Sequence, residues 1–287
     1  MQSEAPLIPL SVNNVCVRDL EVKLCLVNLG NHLECHVAQV SACVDLDRSV
    51  RGIHVSRSVE SILNTVSSTV YTDLFSLQRT LKTVAEILLA KHEYSSKATV
   101  KLKVKLLYAV GCESIPVALR ISVKLNRSGH VKYSLSVRVK GMTVCPCAQQ
   151  VYAHVENIVA PSVPSHSQRT LLTVRVDSST PINPDLGELV NMLLSSFSTS
   201  IKSFLKRSEE YRLVKRAFEN PKFAEDVARE AVYRVYKALR RELNSNGRIT
   251  ARVVSYESLH PFNLYVEINH SVRDLDDVFS GSTGVVE

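Results

Sequence analysis

Thr99-Val-Lys-Leu-Lys-Val-Lys-Leu-Leu-Tyr-Ala-Val110 alternates lysine with aliphatic side chains. That two-residue period is the mark of a β-strand with one wet and one dry face. Two further extended segments follow, Val117–Leu125 and Val131–Val139, and Asn126-Arg-Ser-Gly129 between them has the residues of a hairpin turn. Upstream, Val15, Val17, Val22 and Leu24, then Leu33, Cys35, Val37 and Val40, sit near alternation, with a turn expected around Asn31. Two helical patterns lie between these strands and residue 99. One starts at Ser56 as cap, with Glu60 in its first turn, and carries Leu63, Val66 and Val70; the other follows Thr72-Asp73 with Leu77, Leu81, Val84, Leu88 and Leu89.

The order then repeats. Tyr152–Val159 and Arg169–Val176 read as strands around a Pro161–Ser165 loop, and Asn183-Pro184 opens a helix through Leu186, Leu189, Leu193, Phe197 and Ile201. A charged connector, Lys206 to Asn220, leads to a helix with Ala228, Val232, Val235, Leu239 and Leu243 on one face, ended at Asn246-Gly247. Ile249–Tyr256 and Asn263–Ile268 close the pattern, and a frayed polar tail is expected from Asp274. The reading is α+β: ββααββ twice, two modules (1–147 and 148–272) plus a tail (273–287), each an antiparallel sheet with a helix pair on one face. Such sheets leave edges that association covers, so a homo-oligomer, dimer or tetramer, is expected.

Composition narrows the function classes. With 45% apolar and 22% charged residues the chain is globular, and no apolar run is long enough to span a membrane. The first residues lack the order of a signal peptide. Seven cysteines, an odd number, argue against a disulfide framework and for a reducing cytoplasm, with Cys16, Cys25, Cys35, Cys43 and Cys112 expected as ordinary thiols. A net charge of +7 suits nucleic acid or a phosphorylated small molecule. Nine Lys/Arg and one acid, Glu113, fall between Lys101 and Lys140. Their alternation reads as a solvated sheet face, with an anion-steering surface as the other reading.

Cys145-Pro-Cys147 follows Gly141-Met-Thr-Val144 at a strand end. A redox dithiol ordinarily has two residues between its cysteines, and a structural zinc site needs a second ligand pair that this chain lacks. A catalytic metal site would take a histidine and a carboxylate from elsewhere. Candidates are His166, before a strand, and Glu209-Glu210, placed at a helix C-terminus, where carboxylates oppose the dipole. His154, within an apparent strand, reads as structural. Glu225 stands three residues before Ala228 and seven before Val232, on the apolar stripe of its helix. A carboxylate there needs a partner, either a cation or a donor–donor edge such as N1–H and the 2-amino group of guanine. Glu257 and His260 lie three apart at a strand end, the layout of an acid/base pair.

Five segments together resemble the type IB GTP cyclohydrolases, and most closely their archaeal iron-dependent branch, the MptA type. They are Gly52–Arg57, Gly141–Gln149, His166–Arg169, Leu205–Glu210 continuing through Phe218–Asp226, and Glu257–His260. The resemblance implies tandem tunnelling-fold modules and a metal-dependent attack on C8 of GTP that releases formate. The implied product is 7,8-dihydroneopterin 2′,3′-cyclic phosphate with diphosphate, or the triphosphate as in the bacterial branch. Such pterins lead to methanopterin-like or folate-like carriers. It implies Cys145, His166 and Glu210 as ligands of Fe(II), with Zn(II) or Mn(II) as substitutes, and Cys145 and Cys147 as catalytic residues. It further implies Glu225 on the purine edge, Glu257 and His260 in proton transfer, and Arg169, His54 and Arg57 on phosphate and ribose. The chain departs from the bacterial pattern in its longer Cys147–His166 segment and in Ser208, where a proline is usual.

Two alternatives stand beside it. A deazaguanine nitrile reductase shares the fold but uses a single nucleophilic cysteine and NADPH. A basic nucleic-acid-binding protein would interleave aromatics with its basic run, but aromatics are 6% of the chain and do not do so here. GTP is therefore the expected partner, with no membrane and no nucleic acid.

Overall fold

The computed structural model describes residues 2, 4–27, 33–67, 69–110, 113–159 and 163–280. The elements in order are β1 (Val12–Val27), β2 (Leu33–Leu46), α1 (Val55–Val66), β3 (Val70–Tyr71), α2 (Leu74–Lys91), β4 (Lys97–Val110), β5 (Glu113–Asn126) and β6 (Val131–Val144). Then come α3 (Pro146–Glu156), β7 (Ser167–Ser178), α4 (Leu186–Ser195), β8 (Thr199–Ser200), α5 (Arg207–Glu219), α6 (Ala224–Leu239), β9 (Arg248–Tyr256), β10 (Leu264–Ser271) and α7 (Val272–Ser280). The class is α+β, as expected. The element order is richer than a plain ββααββ tandem, with β3, α3, β8, α5 and α7 added.

Two compact units interleave along the chain: residues 1–106, 118–135 and 177–185, and residues 107–117, 136–176 and 186–287. They interleave because β4, β5 and β6 are long enough to give residues to both. In the first unit the strand order is β6-β5-β4-β2-β1-β3, antiparallel at β1–β2 and β2–β4 and parallel at β1–β3. Helices α1 and α2 pack on each other and on β1 and β2. In the second unit the order is β10-β9-β7-β6, with β8 on β6, and α6 packs on β9 and β10 with α4 beside it.

Local chemistry explains these elements. In β4, Leu102 and Val104 are buried while Lys101 and Lys105 are exposed, so the alternation does mark a wet face. Asp73 caps α2 by accepting from Ser76 N at 2.6 Å, and Leu74, Leu77, Leu81, Val84 and Leu88 form its buried stripe. The 126–129 turn closes with Gly129 at φ +85°. Arg127 in that turn donates to the carbonyls of Ser95, Leu89 and His92, tying the hairpin to the end of α2.

Several expectations are corrected. Tyr152–Val159 is not a strand: Pro146 at the first helical position and Cys145 as cap start α3, and Val151 and Val155 lie exposed one turn apart. The helix from Leu186 stops at Ser195, and Phe197 and Ile201 lie beyond it. The connector after Lys206 is itself a helix, α5. It was illegible as one because it is polar almost all round, with only Ala217 buried. Helix α1 is capped at His54, not Ser56, and Glu60 lies past the first turn, where it pairs with Lys91 at 2.7 Å. The tail from Asp274 begins in a helix: Val272 and Leu275 are buried, and Asp276 accepts from Tyr236 and Arg240. The turn at Asn31, Cys112, and residues 160–162 of the Pro161 loop lie outside the described residues.

The cysteines give the largest correction. Cys16 pairs with Cys43 and Cys25 with Cys35 in two disulfides. Each joins residues directly opposite on β1 and β2, where the strand register brings the side chains together. An odd count says nothing about such pairs, and it no longer supports a reducing compartment. No helix is long and apolar enough to cross a membrane. The bridges span 27 and 10 residues of sequence, and closures of that size are worth about 2–4 kcal/mol each in chain-entropy terms. Reductant should therefore lower the melting temperature, as should a Cys16→Ser/Cys43→Ser variant without it. An unchanged melting curve under reductant rules the bridges out as a source of stability.

His92 makes stability pH-dependent. It is fully buried between Ser58 Oγ at 3.1 Å and Tyr94 OH at 2.8 Å. Burial, then the nearby charges of Arg57, His54 and Lys91, push its pKa from 6.5 down to about 4. The unfolded chain therefore takes the proton first as pH falls. The stability His92 contributes is intact above about pH 6.5 and is lost between about 6.5 and 4. Denaturant midpoints at pH 7 and pH 5 should show this loss, and His92→Asn should flatten it.

Candidate active site

The second unit gathers the thiol, the imidazole and the acid/base loop through one main-chain bond and two side-chain bonds. Cys145 follows β6 and caps α3, its Sγ accepting from Ala148 N at 3.4 Å. Its own N–H donates to the carbonyl of His166 at 3.0 Å, which locks the cysteine beside the histidine that opens β7. Ser165 Oγ donates to the Cys145 carbonyl at 2.6 Å, a second tie between the same segments. His166 Nδ1 meets Ser258 Oγ at 3.3 Å, which brings in the β9–β10 loop that carries Glu257 and His260. His260 stacks on Phe262 with ring centroids 5.0 Å apart, which fixes its ring plane. Cys147 lies exposed in the first turn of α3.

The turn between α5 and α6 is fastened to the same place. Lys222 N donates to the Val144 carbonyl at 3.0 Å, and Gln149 Nε2 donates to the Phe218 carbonyl at 2.9 Å. The Lys222 ammonium is paired with Glu230, which also accepts from Arg234 Nε at 2.9 Å. Burial alone would raise the Glu230 pKa, but the hydrogen bonds from Lys222 and Arg234 outweigh it and hold the carboxyl below its ordinary range.

Glu225 shares the face of α6 that buries Ala228 and Val232, at the N-terminal end of that stripe. It is half-buried in the first turn, next to Asp226, which accepts from Phe223 N at 3.1 Å and pairs with Arg229. Asp226 and Glu230 are thus both engaged. Glu225 has no partner among the described residues, so its acceptor pair is open to a ligand.

Glu209 and Glu210 occupy the first turn of α5, not a helix C-terminus. Carboxylates there favour the dipole, and Glu209 accepts from Lys206 N at 2.9 Å. Glu210 is exposed, and eight residues of helix, roughly 12 Å, separate it from Phe218. Cys145 and His166 fit a metal in chemistry, since a thiolate and an imidazole suit Fe(II) or Zn(II), and a main-chain bond joins the two residues. Glu210 does not join them, and among the described residues no three His, Cys, Asp or Glu side chains are gathered as a metal site. Arg169 is exposed on β7. His54 and Arg57 belong to the first unit, where Arg57 donates to the Lys91 carbonyl at 2.8 Å.

Four contributors escape a sequence reading. Ser258 and Gln168 sit inside the motifs already singled out but carry no signal of their own, and Gln168 Oε1 is a buried acceptor without a partner among the described residues. Gln149 and Lys222 act through backbone carbonyls far away in sequence, which no local pattern reveals.

Among solved structures the chain is similar to a uricase from Bacillus fastidious, with a TM-score of 0.53, covering 96% of this chain and 98% of that one. A uricase from Arthrobacter globiformis gives 0.50 with 90% and 93% covered. Identity is 8% in both cases, so the likeness is one of fold, and it defines the class as an α+β protein of tunnelling-fold type. Sequence narrows the class further. The model of the family described as type I GTP cyclohydrolase folE2 matches residues 1–266. A GTP cyclohydrolase MptA from Aeropyrum pernix is 37% identical over 251 residues, 85% of this chain and 86% of the relative. Its namesake from Pyrococcus furiosus is 28% identical over 277 residues, covering 93% and 97%. The chain belongs to the type I GTP cyclohydrolase folE2 family, a family of enzymes.

Proposed function

We propose that this enzyme opens the purine of GTP at C8, releases formate, and rebuilds the rings into a dihydropterin. The observation that carries this reading is the main-chain lock of Cys145 to His166, with the Glu257–His260 loop held against His166 by Ser258. Glu225 accepts from N1–H and the 2-amino group of guanine through its open carboxylate pair, a recognition that adenine cannot satisfy. Glu257 and His260 move protons to and from the ring nitrogens and the departing formate. Arg169, in the same unit as Cys145, binds phosphate or ribose. The metal, Fe(II) by preference, would be held by Cys145 and His166, and when bound it would acidify a water. In the favoured outcome the side-chain 2′-hydroxyl of the dihydroneopterin, the ribose C4′ oxygen freed when the sugar ring opens, displaces diphosphate from the α-phosphorus, giving 7,8-dihydroneopterin 2′,3′-cyclic phosphate. Retention of the triphosphate is the second reading. The enzyme works as a homo-oligomer that covers its sheet edges.

Anaerobic protein supplied with Fe(II) should convert GTP to a product that fluoresces after oxidation, and mass spectrometry should assign cyclic phosphate or triphosphate. Absence of formate and pterin from GTP defeats the proposal. Glu225→Gln should cut the preference for GTP over ATP by about tenfold or more, the cost of one charge-assisted bond pair at about 1.5–3 kcal/mol. An unchanged preference removes Glu225 from guanine recognition.

A further inference from the structure

Among the described residues, two buried side-chain polar atoms have no hydrogen-bond partner, Gln168 Oε1 and Ser255 Oγ. Both belong to the second unit. Gln168 follows His166 by two residues on β7, and Ser255 precedes Glu257 by two residues on β9. β7 and β9 are hydrogen-bonded neighbours in the sheet. The contact of His166 with Ser258 puts the start of β7 beside the end of β9, so the two side chains come to the same end of the sheet. They also share a face. Thr170, Leu172 and Val174 on β7, and Ile249, Ala251 and Val253 on β9, are the buried positions in phase with them. Helix α6 packs on β9 over this face. The other buried polar groups nearby are satisfied: Thr143 and Thr170 bond each other at 2.9 Å, and Gln149 Nε2 donates to the Phe218 carbonyl.

We propose that Gln168 and Ser255 hold one buried water between β7 and β9, and that through it they are positioning residues for His166 and the Glu257–His260 loop. An amide oxygen only accepts, whereas a hydroxyl donates and accepts. One water that donates to Gln168 Oε1 and accepts from the Ser255 hydroxyl satisfies both, and a buried polar atom left bare is costly. The bridge lies two residues inside each strand, directly behind His166 and Glu257. The contact between those two segments at the surface, His166 Nδ1 to Ser258 Oγ, is exposed and long at 3.3 Å, so it holds their spacing weakly. A bond closed off from water holds it better. Both polar atoms are shut away from solvent, so neither touches a substrate; they act through the strand ends they tie. The proton-transfer role of the loop rests on the cyclohydrolase reading; the water bridge does not.

The test combines a high-resolution crystal structure of the full chain with melting curves and GTP turnover of Gln168→Met, Ser255→Ala and the double variant. Both replacements nearly keep the native shape, so folding should survive. The crystal structure should show a water within hydrogen-bonding distance of both Gln168 Oε1 and Ser255 Oγ. Each single variant strands the other polar atom and should lower the melting temperature by a few degrees; the double variant removes both atoms and should lose less than the sum. In the double variant kcat for GTP should fall about tenfold with KM within about twofold, because substrate contacts are untouched while the proton-transfer groups lose their alignment. Lost kcat beside recovered stability is an outcome that a purely structural role does not give. A crystal structure without that water, or additive losses of stability, overturns the bridge. Wild-type kcat in the double variant overturns the positioning role. If the wild type forms no pterin from GTP while the water and the non-additive melting are seen, the cyclohydrolase reading falls and the bridge stands.

Discussion

Cys145→Ser is expected to abolish GTP turnover, by on the order of 10³-fold or more, the size of effect seen when an essential polar group of a reacting centre is removed. Serine is the informative replacement. Cys145 caps α3 by accepting from Ala148 N, and serine is a good cap, so the helix should keep its start. The main-chain bond from Cys145 N to the His166 carbonyl does not involve the side chain and should also persist. Lost activity with an unchanged melting curve would then be assigned to the sulfur, not to the fold. His166→Ala should cause a similar loss by removing the imidazole and its contact with Ser258. Iron content should fall in both variants, and Cys147→Ala, on the exposed start of α3, should retain more metal than either. Wild-type turnover by Cys145→Ser, or by metal-stripped wild type, would contradict the proposed chemistry.

Sequence periodicity was a good guide where one face is buried and the other is wet. The Lys101–Lys105 alternation and the α2 stripe were legible because burial there imposes a two-residue or a 3.6-residue period. It failed where burial imposes no period. Helix α5 buries only Ala217, and α3 buries only Gln149 among residues that include β-branched Val151 and Val155. Caps and dipoles hold these helices, so their signals lie in Cys145-Pro146 and in Glu209, not in an apolar stripe. The site divides in the same way. Cys145, His166 and the Glu257–His260 loop stand out as residue types at motif spacing. The bonds that assemble them run from a backbone N–H to a carbonyl 21 residues on and from an imidazole to a hydroxyl 92 residues on. Cross-strand disulfides are hidden for a related reason: register, not cysteine spacing, decides which thiols face each other.

Gly141→Ala, a change of one methyl, should unfold or severely weaken the second unit. A Cβ at Gly141 would enter the ring of Phe197, within 2.6 Å of Cδ1 and nearer still to Cγ and Cδ2. Phe197 is 1% exposed, so the ring has nowhere to move without displacing its neighbours. Overpacking of this kind costs about 1–3 kcal/mol, and more where the backbone must shift. Here the backbone is committed on both sides. Gly141 pairs with Ser200 across β6–β8, and Asn220 Nδ2 donates to the carbonyls of Phe197 and Ser198 at 3.2 and 3.3 Å. Ser198 in turn accepts from Val144 N, one residue before Cys145, so a shift of Phe197 is passed to the thiol and to the α5–α6 turn. Gly141→Ala should therefore lose turnover as well as stability. Phe197→Leu alone should cost stability by leaving a void, yet added to Gly141→Ala it should recover part of the melting temperature, because the smaller side chain makes room for the methyl. The double-mutant cycle should show a favourable coupling of about 1 kcal/mol or more. Additive losses would mean that the two residues do not meet.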